Sequence, residues 1–181
     1  MNVTMTDIKK LREMTGAGLS DCKKALAESD DMDGAVAYLR KKGQAVAAKR
    51  SDREAAEGCV LVKVADGFGA IIALKCETDF VANNADFVAL TQQILDAAVA
   101  NKRKSLEEVN ALPMGDGTVA DAVTARSGIT GEKMELDGYS YIEGDNICTY
   151  NHMNRNGLCA MVAFNAPVEA EVGKNVAMQV A

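Results

Sequence analysis

Seven consecutive residues, Glu77-Thr78-Asp79-Phe80-Val81-Ala82-Asn83, set an acid and an aromatic side by side. The chain has no Trp, four Phe and four Tyr, and such scarce rings are expected in the core. A ring placed on a connecting segment suggests contact with another molecule. The same residue types also fit a plainer role, in which Thr78, Asp79 or Asn83 caps the following helix and Phe80 folds back on it as an apolar staple. Local chemistry leaves both readings open.

Other chemistry fails on inspection. Cys76 beside Glu77 has the makings of a nucleophile, but no helix amino terminus, cation or base accompanies it in sequence, so a buried, inert thiol is the better reading. His152 is the only histidine, which rules out a multi-histidine metal site, and a lone histidine is more often a hydrogen-bonded structural residue than a ligand. There is no G-x-x-x-x-G-K-[ST] and no G-x-G-x-x-G ahead of a helix, so the chain itself is not expected to bind nucleotide. No catalytic group, metal or cofactor is expected.

The elements that must position Asp79 and Phe80 follow from period. Their segment closes an apolar run, Ala70-Ile71-Ile72-Ala73-Leu74, and leads into a pattern in which Phe87, Leu90, Ile94 and Ala97 recur at i, i+3, i+7 and i+10. It is predicted to be a strand-to-helix loop with Phe80 exposed. Upstream, Cys59 to Val64 reads as a strand, Asp66-Gly67 as a hairpin turn and Gly69 to Cys76 as the returning strand. The helix runs to about Ala100. Beyond it the chain is polar from Asn101 to Leu112 and breaks at Pro113. Thr118 to Ala125 suits a short helix and Ser127 to Glu132 a loop. Three strand-like runs follow, around Met134, Ile142 to Tyr150 and Gly157 to Phe164. A shift of roughly 88 residues lays Gly157 on Gly69, Ala177 on Ala89 and Met178 on Leu90, a weak sign of a duplicated hairpin-plus-helix unit.

Residues 1–50 read as three short helices. Met5, Ile8 and Leu11 share a face, with Thr6 as cap and Asp7 as the charge in the first turn. Gly16 and Gly18 break that helix, Ser20 caps the next, and Cys22, Ala25 and Leu26 form its apolar stripe. Asp30 to Asp33 start the third helix, with Val36, Leu39, Gly43 and Val46 on one side. Residues 51–56 lack apolar periodicity and are expected to be a linker. A first core subdomain then covers 57–140, and 141–181 begin a second.

At 181 residues with a net charge of −6, the chain is long enough for a real core. It is too acidic for general nucleic-acid binding, which depends on Lys and Arg. The basic stretch Arg40 to Arg53 reads as a solvated helix face and linker. Five cysteines, Cys22, Cys59, Cys76, Cys148 and Cys159, form no C-x-x-C pair, and their odd number favours a reducing cytosol over a disulfide framework. There is no signal-peptide run and no stretch of eighteen apolar residues, so a cytoplasmic chain with no membrane contact is expected.

Three ordered blocks resemble one family. Leu11-Arg12-Glu13-Met14-Thr15-Gly16-Ala17-Gly18-Leu19-Ser20-Asp21-Cys22-Lys23-Lys24-Ala25-Leu26 is similar to the amino-terminal signature of translation elongation factor Ts. Glu77 to Asn83 resembles its second signature at a similar separation. Tyr150-Asn151-His152, followed by Asn156-Gly157 and an apolar strand, resembles the start of its next subdomain. Chance agreement of three ordered blocks is far rarer than one short match.

The resemblance implies an α+β fold: an amino-terminal three-helix ubiquitin-associated-like bundle, then an antiparallel sheet with helices packed on it. It also implies that the second subdomain is incomplete. The last helix, Gly173 to Ala181, has barely two turns, where the family would continue with a helical hairpin and a terminal helix, so a truncated chain is expected.

By the same resemblance the chain would be a guanine-nucleotide exchange factor without covalent chemistry, acting on elongation factor Tu in its GDP-bound and nucleotide-free forms. Phe80 would wedge between helices beside the magnesium site of elongation factor Tu. Asp79 would anchor the segment and add negative charge there, with Thr78, Val81 and Asn83 around it. The wider interface would take in Leu19, Asp21, Lys23, Gly131 and His152, and self-association is a property the resemblance leaves to the full-length factor. Two residues depart from the family pattern. Ser20 stands where Met is common, and Thr130 where an apolar residue precedes Gly-Glu, each replacing an apolar contact with a hydroxyl. The alternative function is an adaptor that binds protein partners through the helical bundle.

Overall fold

The computed structural model describes residues 3–181, the side chain of Asn154 excepted. The chain divides into two compact units. One comprises the residues up to Arg53 together with Thr124–Lys133, and the other comprises Glu54–Val123 with Met134–Ala181.

The first unit contains helices α1 (Met5–Thr15), α2 (Leu19–Ala27) and α3 (Met32–Lys49). A reciprocal cap starts α1: the Thr4 hydroxyl accepts from the Asp7 N–H at 3.2 Å and the Asp7 carboxylate accepts from the Thr4 N–H at 3.1 Å. Thr6, the expected cap, therefore lies inside the helix. Its partner three residues on is Lys9, which cannot return the bond, whereas Thr4 and Asp7 satisfy two orphan donors at once. The Thr4 hydroxyl also donates to the Asp7 carboxylate at 2.6 Å, and this bond, together with the one from the Thr4 N–H, holds the Asp7 carboxyl below its ordinary range. Ile8 and Leu11 are buried while Met5 is exposed.

Gly16, at φ +70°, ends α1. Helix α2 then begins one residue before Ser20, with Gly18 at the cap position and no side-chain cap. The backbone must already turn at Leu19, because Ala17 and Cys22 both enter the core. Cys22, Ala25 and Leu26 form the buried stripe, and Asp31 caps α3 by accepting from the Gly34 N–H at 2.7 Å.

In the second unit, β1 (Glu57–Ala65), β2 (Phe68–Cys76) and β5 (Glu135–Glu143) form an antiparallel sheet in the order β1-β2-β5. Asp66 and Gly67 make the tight turn with φ of 49° and 72°, which suits the right-handed twist of the strands it joins. Phe68, Ala70, Ile72, Leu74 and Cys76 alternate onto one face. There they meet Phe87, Thr91, Ile94, Leu95 and Ala98 of α5 (Ala85–Ala100) in one apolar core.

Between Asn101 and Leu112, where only polar chain and a break were expected, α6 (Leu106–Asn110) forms, capped by Ser105 and anchored by buried Val109. A minimal hairpin of β3 (Pro113–Met114) and β4 (Gly117–Thr118) leads to α7 (Val119–Thr130). This helix runs straight through Ser127-Gly128, where a loop is predicted. Gly128 is a packing requirement rather than a breaker: a Cβ there would lie 2.2 Å from Gly43 Cα, so α3 and α7 touch backbone to backbone.

The strand-like run Ile142 to Tyr150 is likewise cut in two. Gly144 and Asp145 turn the chain, the Gly144 N–H donating to the Gly67 carbonyl at 2.9 Å. A new strand, β6 (Asn146–Asn151), then pairs with β7 (Cys159–Phe164). Met161 Sδ lies 3.3 Å from the Cβ position of Gly69, so this hairpin lies on the face of the sheet opposite α5. Helix α8 (Ala170–Val180) packs on the hairpin through Gly173 and Ala177. The hairpin-plus-helix arrangement thus occurs twice, but the helices are out of step with the strands. Gly173 and Ala177 share the spacing of buried Phe87 and Thr91, whereas Ala89, onto which the shift lays Ala177, is exposed.

Candidate functional site

The segment predicted to be a loop is a single helical turn, α4 (Asp79–Ala82). Strand β2 delivers it: Cys76 is fully buried and its thiol donates to the Thr78 carbonyl at 3.2 Å. Thr78 has extended backbone and its hydroxyl accepts from the Val81 N–H at 3.4 Å, which starts the turn. At the other end the Asn83 N–H and side-chain amide both donate to the Asp79 carbonyl, at 2.9 and 2.8 Å. Asn84, not Asn83, caps the following helix, accepting from Asp86 N–H at 3.0 Å.

These bonds decide which side chains face in. Ala82 is buried and Val81 packs against the core, so Asp79 and Phe80 face solvent. Phe80 is 85% exposed, against 1% for Phe68 and 0% for Phe87. It does not staple the next helix.

His152 also lies in the second unit, directly after β6 and exposed. Its Nδ1 is 3.0 Å from the Tyr150 hydroxyl, and the two rings meet edge to face at 5.9 Å. Tyr150 carried no functional role in the sequence reading. Strand period could not have joined the two residues, because β6 ends at Asn151, between them.

Leu19, Asp21, Lys23 and Gly131 fall in the first unit. Leu19 is 45% exposed at the start of α2, and Lys23 is exposed one turn on. Asp21 is paired with Lys42 of α3, so a partner would have to compete for that carboxylate. Gly131 ends α7 at φ +74° with open space around it, so backbone conformation, not crowding, selects glycine. Thr130 turns its hydroxyl inward onto the helix end, bonding the Arg126 carbonyl at 3.2 Å and receiving the Glu132 N–H at 3.3 Å. Ser20 is exposed.

None of the five cysteines is in a disulfide. Burial pushes Cys22 and Cys59 up, and pushes Cys159 up to about 11, with Cys59 beside it adding to the effect. Among the described residues there is no group of three or more His, Cys, Asp or Glu that could hold a metal ion, and no helix is long and apolar enough to cross a membrane.

The sequence model of the family described as Elongation factor TS matches residues 77–181. The chain belongs to the elongation factor Ts family. The match begins at the first residue of the Asp79-Phe80 segment and takes in His152. The elongation factor Ts of Bacteroides fragilis is 74% identical over 182 residues, which cover all of this chain and 55% of that protein. That of Bacteroides thetaiotaomicron is 67% identical with the same coverage, and that of Porphyromonas gingivalis 57% identical over 183 residues and 66% of its length. The chain thus spans little more than half of the first two elongation factor Ts proteins.

Proposed function

We propose that the chain is a guanine-nucleotide exchange factor that binds cytoplasmic elongation factor Tu, in GDP-bound and nucleotide-free forms. It promotes GDP release by inserting the Asp79-Phe80 turn near the magnesium and phosphate site. The observation that carries this reading is the 85% exposure of Phe80 on a turn bonded at both ends. Moving such a ring from water into an apolar cleft is worth about 1.5–3 kcal/mol, and truncating an interface hot spot costs roughly 2–4 kcal/mol. The turn is already formed, so little of that gain is lost to ordering it.

Exchange needs no covalent step. Factor and nucleotide weaken each other's binding by the same coupling free energy, so elements displaced by Phe80 release their hold on magnesium and phosphate. Asp79 adds a negative charge beside that site, and Thr78, Val81 and Asn83 hold the turn. Leu19, Asp21, Lys23 and Gly131 extend the interface from the first unit, and His152 extends it from the second hairpin. The exposed apolar side chains Met5, Met14 and Leu19 support a contact role for the bundle.

Release of a fluorescent GDP analogue from elongation factor Tu tests the reading. Acceleration by three to four decades corresponds to a barrier lowered by about 4–5.5 kcal/mol. Saturable acceleration that depends on Phe80 supports exchange. Binding to elongation factor Tu with no change in release contradicts exchange and leaves the chain an adaptor.

A further inference from the structure

His152 is held from several directions. Its N–H donates to the Leu158 carbonyl at 2.9 Å, and its carbonyl accepts from the Arg155 N–H at 3.2 Å. The next residue, Met153, has φ +51°, and Asn156 has φ +53°. A left-handed methionine is uncommon, and such conformations persist only where the surroundings impose them. The loop is therefore set rather than loose, and the ring on it is fixed by one further contact, the Tyr150 hydroxyl 3.0 Å from Nδ1. Among the described residues Nε2 has no partner.

We propose that Tyr150 is a positioning residue. By donating its O–H to Nδ1 it keeps neutral His152 in the tautomer that carries the proton on Nε2, and so presents an N–H donor to an acceptor oxygen, a carbonyl or carboxylate, on the partner surface. The direction of the bond follows from acidity and basicity. A phenol of pKa about 10 is a much stronger acid than a neutral imidazole N–H, and an imidazole nitrogen, with a conjugate-acid pKa of about 6.5, is the stronger base. O–H···N therefore prevails over N–H···O, and the hydrogen bond on one nitrogen sets the state of the other. The inference rests on the reading of His152 as a partner contact, yet its first half concerns the free chain alone.

With one histidine in the sequence, long-range 1H–15N correlation spectra of the 15N-labelled chain contain a single imidazole. In alkaline solution the wild type is expected to show a protonated Nε2 and a bare Nδ1. Tyr150→Phe keeps the ring and should move the populations toward a mixture of tautomers while the amide spectrum stays in place. A proton on Nδ1 in the wild type, or the same populations in both chains, overturns the proposal.

The second half is read from affinity for nucleotide-free elongation factor Tu. Tyr150→Phe should weaken binding about three- to tenfold, the order of one hydrogen bond, and should have no further effect in a His152→Ala background. An equal loss in that background overturns the positioning role. If the tautomer shifts as expected but His152→Ala leaves affinity unchanged, it is the assignment of His152 as a contact that fails, and with it the role of Tyr150 in binding.

Discussion

The Asn83 side-chain amide donates to the Asp79 carbonyl at 2.8 Å, closing the one turn of helix from which Phe80 projects. Four residues of helix are too few to be stable alone, so the turn exists because both its ends are bonded and its inner residues are packed. Asn83→Ala removes the side-chain half of this closure, leaves the Asn83 N–H on the same carbonyl at 2.9 Å, and does not touch Phe80. It should lower stability by no more than about 0.5–1.5 kcal/mol. GDP release at a fixed concentration of factor should nevertheless slow several-fold, because the ring is less firmly held. Thr78→Ala, which removes the amino-terminal cap, should cost about 1 kcal/mol and slow release in the same sense. Urea unfolding alongside nucleotide release separates the two effects.

Gly128 is the position where adding one methyl should hurt most. Its Cβ would fall 2.2 Å from Gly43 Cα, a backbone atom that cannot swing away. Gly128→Ala should destabilise the chain by about 1–3 kcal/mol through forced separation of α3 and α7. Gly157→Ala is the control: nothing lies within 4 Å of its Cβ position, and the change should stay within about 0.5 kcal/mol. Equal midpoints for the two variants in urea would mean that the helices do not meet at these glycines.

What could be read from the sequence was whatever local chemistry decides. Asp66-Gly67 marked the β1–β2 hairpin because only residues tolerant of positive φ fit that turn. The period beginning at Phe87 marked α5, and with it the place of Phe80 ahead of the core. Tertiary contacts hid the rest. Ser127-Gly128 looks like a breaker until Gly43 is brought against it, and α6 hides in polar chain because Val109 is its only buried residue. The turn at Asp79 is too short to show a helical period. The Tyr150–His152 bond depends on a strand that ends between them, so period alone could align the two residues but not join them.

Burial also leaves a mark on pH dependence. The Cys159 thiol is pushed up to about 11 from 9.0 in the folded chain, chiefly by burial. The unfolded thiol loses its proton first as pH rises, so the contribution of Cys159 is fully present below about pH 9 and is lost as pH rises through about 11. Stability should fall across that window, and Cys159→Ala should flatten the fall. Denaturant midpoints measured in steps across the window check this; identical slopes for the two chains would mean that the thiol titrates as it does in the unfolded state.

The most direct test is stopped-flow release of a fluorescent GDP analogue at saturating factor, comparing wild type with Phe80→Ala. An interaction made mainly as the nucleotide site opens lowers the barrier, whereas one made equally before and after only raises occupancy. The rate at saturation is expected to drop about ten- to hundredfold, equivalent to roughly 1.4–2.7 kcal/mol, with folding stability little changed. If Phe80→Ala reaches the wild-type rate at saturation and differs only in the concentration needed to get there, Phe80 is an anchor and not the wedge.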